Sequence, residues 1–204
     1  MAAIPENELM LIQTAQHGDL DAFNMLVLRH QNAVYTLSYR IMGEPDSAAD
    51  ATQDAFLTAY RRIETYRGGN FRSWLLRIAT NTCYDELRRR KRRPATSFED
   101  LPDADSDDGP SLPSSTETPE QTVQQRELNT AIQDCITALG EDQRVVLVMS
   151  DVQGFSYQEI AEVTGTQMGT VKSRLSRARL SIRRCLQAVQ ELLPAEYRLL
   201  TDAE

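Results

Sequence analysis

The chain has 204 residues, 41% of them hydrophobic and 25% charged, which are ordinary values for globular protein and allow one large domain or two small ones. No apolar run approaches the ~18–20 residues that span a bilayer. The start Met1-Ala2-Ala3-Ile4-Pro5-Glu6 lacks the basic head and apolar stretch of an export signal, so a cytoplasmic protein is expected. A net charge of −8 argues at first against a nucleic-acid partner, but its distribution reverses that impression.

Residues 1–60 carry eight acidic and two basic groups, whereas residues 61–93 carry eleven basic and three acidic ones. Residues 94–123 hold eight acids and no base, and residues 167–190 hold six bases and no acid. Concentrated basic patches matter more for phosphate contact than the total does. The acidic remainder should weaken independent DNA binding, which suggests a protein that reaches DNA only with help.

Along residues 1–93, Phe23, Val27, Val34, Leu37 and Ile41 recur at helical spacing, and Gly43 with Pro45 closes that run. Ser47 with Asp50 three residues on reads as a helix-capping pair. From there Ala51, Ala55, Ala59 and Ile63 form a row of mostly small side chains that lets a neighbouring helix approach closely, while Asp50, Gln53, Asp54 and Arg61 lie opposite. Arg67-Gly68-Gly69-Asn70 is expected to be a loop, with Ser73 capping a helix from Trp74 to about Arg92. On that helix Leu75, Ile78, Ala79 and Thr82 should face the core. Trp74, Arg77, Asn81, Asp85, Arg88 and Arg92 form a second stripe, and six consecutive bases, Arg88 to Arg93, exceed what helix capping needs.

Residues 94–123 contain five prolines and nine Ser or Thr, with too little apolar surface to offset ordering entropy, and read as a disordered acidic linker. Residues 124–190 read as a second helical module, followed by a tail over 191–204. Leu128, Ile132, Cys135 and Leu139 point inward on a helix ending at Gly140, and a short apolar helix runs over Val145 to Met149. Ser156 and Glu159 then make a capping box, with Phe155 and Ile160 as its hydrophobic staple. A stop near Thr164-Gly165 and an immediate restart give the helix-turn-helix signature. In the last helix Val171, Leu175, Ala178 and Ile182 face inward, and Lys172, Ser173, Ser176 and Arg177 face out.

Cys83, Cys135 and Cys185 lie about fifty residues apart with no C-x-x-C pair, and are expected to be buried as small apolar residues, free of disulfides and metal. His17 and His30 have no metal-ligand spacing. No nucleophile–base pair or phosphate-cradling loop is evident, so neither an enzyme nor a cofactor is expected. Two other classes fit parts of the pattern. A one-component regulator would need a sensing or dimerisation domain, and a nucleic-acid enzyme would need converging metal-binding carboxylates.

Two stretches resemble a known family. Asp50-x-x-Gln53-Asp54-Ala55-Phe56, Tyr66-Arg67-Gly68 and Phe71-Arg72-Ser73-Trp74-Leu75-Leu76-Arg77-Ile78-Ala79-Thr80-Asn81 resemble region 2 of bacterial RNA polymerase sigma factors of the extracytoplasmic-function type. Gly154-Phe155-Ser156-Tyr157-Gln158-Glu159-Ile160-Ala161-Glu162 and Gly169-Thr170-Val171-Lys172-Ser173-Arg174-Leu175-Ser176-Arg177-Ala178-Arg179 resemble region 4. The resemblance implies an all-α protein of two small helical domains and a non-enzymatic role in promoter recognition. It implies core RNA polymerase and promoter DNA, duplex and melted, as partners, and admits an anti-sigma factor. Asp50, Gln53 and Asp54 would then contact the clamp helices of the largest polymerase subunit. Arg67, Asn70, Phe71, Trp74, Asn81, Asp85, Arg88, Arg89 and Arg92 would contact the −10 element and adjacent DNA. Lys172, Ser173, Arg174, Ser176 and Arg177 would read the −35 element.

Overall fold

A computed structural model describes residues 6–92 and 119–193. All regular elements among the described residues are helical. The chain divides into two compact units, Met1–Phe98 and Glu99–Glu204. Most of the expected linker, residues 94–118, lies outside the described residues. Its last part is helical instead: a helix opens at Pro119, and proline is favoured at a first helical position because its missing N–H needs no partner there.

The first unit contains α1 (Glu6–Gln16), α2 (Leu20–Met42), α3 (Pro45–Arg62), a 3₁₀ turn (Ile63–Thr65) and α4 (Phe71–Arg92). Asp19 caps α2, its carboxylate accepting from the Ala22 N–H at 2.8 Å. Gly43 ends α2 in the left-handed conformation, φ 83°, and its N–H returns to the Tyr39 carbonyl. The helix after it starts two residues before the expected cap. Pro45 occupies the first turn, so Ser47 is already helical and its hydroxyl donates to the Glu44 carboxylate instead. The cap expected at Ser73 is likewise displaced. Asn70 Oδ1 accepts from the Ser73 N–H at 2.9 Å, and α4 begins at Phe71.

The row of small residues on α3 is real and one turn longer than its sequence expectation. Ala48, Ala51, Ala55, Ala59 and Ile63 are all buried, and both α2 and α4 pack on α3. The buried face of α4 is also wider than expected. Leu76, Thr80, Cys83, Tyr84 and Leu87 join Leu75, Ile78 and Ala79, whereas Thr82 is half-buried.

The second unit contains α5 (Pro119–Thr137), α6 (Glu141–Leu147), a π-helical turn (Val148–Val152), α7 (Tyr157–Thr164), α8 (Met168–Ala188) and a 3₁₀ turn (Gln190–Leu192). That last turn takes up the start of the expected tail. Buried Arg144 donates to the carbonyls of Thr137 and Leu139, meeting the open end of α5. The capping box forms as expected: the Ser156 hydroxyl accepts from the Glu159 N–H, and the Glu159 carboxylate accepts from the Ser156 N–H. Phe155 and Ile160 are both buried, and Gly165 ends α7 with φ 63°.

The cysteine expectation fails for two of the three residues. Packing of α8 on α5 brings the Cα atoms of Cys135 and Cys185 to 5.7 Å, and the pair is joined as a disulfide. Their separation of 50 residues carries no trace of this in the sequence. Cys83 is free and buried, and burial pushes its thiol up to about 11, leaving it inert.

The alanine seam makes a direct prediction. Ala55→Leu adds three carbons where exposure is 0% and no space remains, and should destabilise the first unit by ~1–3 kcal/mol. Thermal unfolding of the variant against the parent reads this; an unchanged melting temperature would show that α2 and α4 do not close on α3 here.

Candidate nucleic-acid interface

In the first unit the loop between α3 and α4 is held before any partner arrives. Gly68 and Gly69 adopt φ 97° and 95°, left-handed values that side chains resist. The Tyr66 hydroxyl donates to the Gly69 carbonyl at 2.6 Å. Burial, with the Glu8 carboxylate nearby, raises the Tyr66 pKa, which keeps that hydroxyl a donor. From α1, the Gln16 amide donates to the carbonyls of Ile63 and Tyr66 at 3.0 and 2.9 Å.

Beneath the loop sits an aromatic cluster. Phe71 is 2% exposed, with ring centroids 5.3 Å from Tyr66, 5.4 Å from Trp74 and 5.5 Å from His30. His30 is fixed from the other side, its Nε2 2.6 Å from Glu8 Oε1. Trp74 is half-buried on this cluster and leaves part of its ring open, while Arg67, Gly68, Gly69 and Asn70 are exposed around it. A half-buried indole with exposed glycines and a cationic side chain in the neighbouring loop has the chemistry on which a planar base can stack.

The basic end of α4 is sorted by its acidic neighbours. Arg89 pairs with Glu86 at 2.6 Å, and Arg90 reaches Glu86 at 3.0 Å, Glu44 at 3.5 Å and the Ser47 hydroxyl at 2.7 Å. Those two arginines hold the Glu86 carboxyl below its usual range. Arg88 lies over the Tyr84 ring at 4.8 Å. Arg88, Lys91 and Arg92 are exposed and have no carboxylate partner among the described residues. On α3, Asp50, Gln53 and Asp54 are exposed along one face, and Leu57, 47% exposed, continues it one turn further.

In the second unit α7 and α8 form the helix-turn-helix. Val171, Leu175 and Ala178 are buried, Ile182 is half-buried, and Lys172, Ser173, Ser176 and Arg177 are exposed. Arg179 pairs with Asp151 through two hydrogen bonds, 2.8 and 2.7 Å, which lowers the Asp151 pKa. Arg174 is bound to Asp142 at 2.6 Å with only 22% of its side chain exposed. No cluster of potential metal ligands exists among the described residues, and no described helix is long and apolar enough to cross a membrane.

Comparison with known proteins decides the family. Residues 26–93 match the family model "Sigma-70 region 2", and residues 129–182 match "Sigma-70, region 4". The chain is 37% identical over 183 residues to the RNA polymerase sigma-H factor of Pseudomonas aeruginosa, covering 89% of this chain and 95% of that protein. It is 36% identical over 174 residues to the ECF RNA polymerase sigma-E factor of Escherichia coli K12, covering 85% and 91%. The chain belongs to the ECF sigma factor family. In fold it is similar to CnrH, solved with the cytosolic domain of CnrY, at TM-score 0.57 and 24% identity over 90% of this chain and 99% of that one.

A sigma factor binds core RNA polymerase and directs it to promoters, and the structure sorts this sigma factor's candidate residues for that task. Arg67, Asn70, Trp74, Asn81, Asp85, Arg88 and Arg92 gather along the loop and one stripe of α4, with Asn81 half-buried and Asp85 exposed. Three candidates are otherwise engaged. Phe71 supports the aromatic cluster from within the core, Arg89 is paired with Glu86, and Arg174 ties α8 to Asp142 in the first turn of α6. Sequence reasoning missed Gln16, Glu8 and His30, because their partners lie 22 to 50 residues away and no periodicity marks a hydrogen bond.

Two measurements test this sorting. If Arg174 is a strut, Arg174→Ala and Asp142→Ala should each lower the melting temperature, and the double variant should lose less than their sum. Additive losses would place Arg174 among the DNA contacts instead. The Asp151–Arg179 pair makes a pH prediction. A carboxylate with a depressed folded pKa stabilises above its unfolded value near 4 and loses that contribution as pH falls through the folded value. Asp151→Asn should therefore flatten the acid side of the stability curve and leave its neutral-to-basic shape unchanged.

Proposed function

We propose that this sigma factor divides promoter recognition between its two units. The first, over about residues 1–93, takes the melted −10 strand, and the second, over about 124–190, takes the −35 element as duplex, with residues 94–123 as connector. The observation that carries this reading is the pair of exposed, unneutralised basic faces, one at the end of the helix that opens on a half-buried tryptophan, the other on the outer side of α8. Phosphate contacts by Arg88, Lys91 and Arg92 position the upstream duplex, while Trp74 stacks on a base turned out of the helix, with Arg67, Asn70, Asn81 and Asp85 around it. Lys172, Ser173, Ser176 and Arg177 occupy the early turns of α8, the part of a recognition helix that meets base edges.

Asp50, Gln53, Asp54 and Leu57 make the face for the clamp helices of the largest polymerase subunit, with Leu57 adding apolar area to an acidic rim. An anti-sigma factor is a further partner: the Bartonella quintana sigma factor RpoE, similar in fold at TM-score 0.57 and 24% identity, was solved with its anti-sigma factor NepR. The protein acts in the cytoplasm and has no catalysis of its own; polymerase supplies the chemistry.

Run-off transcription with core polymerase on a genomic fragment library tests the whole reading, and a gel shift with the protein alone separates it from an independent DNA binder. Asp50→Ala combined with Gln53→Ala should weaken core binding in a pull-down while leaving the melting temperature unchanged. Lys172→Ala and Arg177→Ala should each cost ~1–3 kcal/mol and relax preference at one −35 position if they make bidentate base contacts. A uniform loss across −35 sequences would make them phosphate contacts.

A further inference from the structure

The Cys135–Cys185 bond has no place in promoter reading as described above, yet it joins α5 to the last turns of the helix that carries the −35 face. Disulfides are rare where thioredoxin and low-molecular-weight thiols keep cysteines reduced, and those that form there are usually transient or redox-sensing. The two cysteines differ in exposure. Cys135 is 3% exposed, whereas Cys185 is half-buried and directly follows two exposed arginines, Arg183 and Arg184, on α8. Positive charge beside a reacting sulfur attracts an incoming thiolate and stabilises a thiolate that forms there. The third cysteine, Cys83, lies deep in the other unit and takes no part.

We propose that Cys135–Cys185 is a reversible thiol–disulfide modification site, served by a dithiol–disulfide couple of the thioredoxin class, whose state sets how firmly α5 holds the −35-directed helix. One thiolate of the reductant attacks the Cys185 sulfur, a mixed disulfide forms, and Cys135 leaves as a thiolate that takes up a proton. The reductant's second thiolate then attacks its own mixed-disulfide sulfur and releases Cys185 as a thiolate, which is protonated in turn. Two electrons pass from the reductant, which ends as its disulfide; the reverse sequence closes the bond with an oxidised couple of the same class.

The consequence for α8 follows from position. Arg177 and Cys185 are eight residues apart, ~12 Å along the helix, so the bond leaves the exposed contact face untouched. It acts on the far end. Closing a loop of about fifty residues removes disorder from the open chain, so the oxidised form should hold α5 and α8 together more firmly. Without it, α5 is retained by Leu128, Ile136 and Leu139 and by the Arg144 cap, so the reduced protein still folds, with a looser second unit.

The functional half of this proposal rests on α8 reading the −35 element, and the experiment separates the two. The full-length protein is equilibrated in graded mixtures of reduced and oxidised dithiothreitol, the probe couple, and thiols are counted after denaturation. The expected result is one cooperative two-electron step from one thiol to three. The melting temperature should fall by about 5 °C or more across it. Transcription by reconstituted holoenzyme should fall about fivefold on a template with an intact −35 element, the low end of coupling between sites. Cys83→Ala should keep the step, and Cys135→Ala with Cys185→Ala should abolish it and behave as the reduced form. Should the double variant not fold, the parent protein opened by dithiothreitol gives the same comparison. Two thiols that never pair, or oxidised and reduced proteins with equal melting and transcription, would overturn the proposal. If instead even the oxidised protein ignores changes in the −35 sequence, the −35 reading has failed and the redox step in thiol count and melting still stands.

Discussion

With only 6% aromatic residues, a small helical unit must gain its buried area by bringing backbones close together, and the first unit does so along α3. Ala48, Ala51, Ala55 and Ala59 present almost no side chain, so α2 and α4 both settle against the same helix. Close approach brings many dispersion contacts into range that a row of leucines would hold apart. The position of α4 follows from this seam, and from α4 follow the aromatic cluster at its start and the basic run at its end. A change at the seam is therefore felt at both ends of α4 without touching them.

Acidic neighbours then engage some of the cations. Glu86 engages Arg89 and Arg90, Asp142 engages Arg174, and Asp151 engages Arg179. Most of these pairs are partly exposed and contribute little to stability singly. Their larger effect is to orient several arginines that the sequence alone would leave unpaired. What remains exposed without an acidic partner among the described residues includes Arg88, Lys91 and Arg92 on one unit, and Lys172 and Arg177 on the other. A net charge of −8 opposes the approach of the whole chain to DNA, whatever its local basic faces contribute.

What the sequence made legible was whatever depends on neighbours along the chain. The periodicity of α2, α3 and α4, the alanine row, and the capping box and turn of α7–α8 are all local patterns and all formed. Caps were less secure. Ser47 and Ser73 are good cap residues, but Pro45 and Asn70 stand two and three positions earlier and start the helices first. The helix α1 was missed because only Ile12 and Ala15 among its apolar residues are deeply buried, while Leu9 and Met10 are exposed, which blurs the stripe. Contacts between distant positions left no mark at all: Glu8 with His30, Gln16 with the loop, Cys135 with Cys185. Phe71 and Arg174 show the converse limit. A motif places them among the candidate residues, and only packing shows that Phe71 is buried in the core and that Arg174 is held by Asp142.

Those long-range contacts give the proposed base-capturing loop its economy. Turning a base out of the stack costs a few kcal/mol, and a loop that also had to be ordered at that moment would add ~1–2 kcal/mol for each residue fixed. Here the ordering precedes DNA. Gln16 holds the carbonyls of Ile63 and Tyr66, Tyr66 holds Gly69, and Asn70 holds the start of α4. Below them Phe71 is fixed by His30, itself fixed by Glu8, so the platform under Trp74 is anchored to α1 and α2 as well as to its own helix. The exposed glycines Gly68 and Gly69 face open space, with no atom within 4 Å of where a Cβ would stand. Helix α1, the element least visible in the sequence, is thus the one that allows a short glycine-rich loop to meet a strand already in shape, leaving the contacts themselves to offset the unstacking.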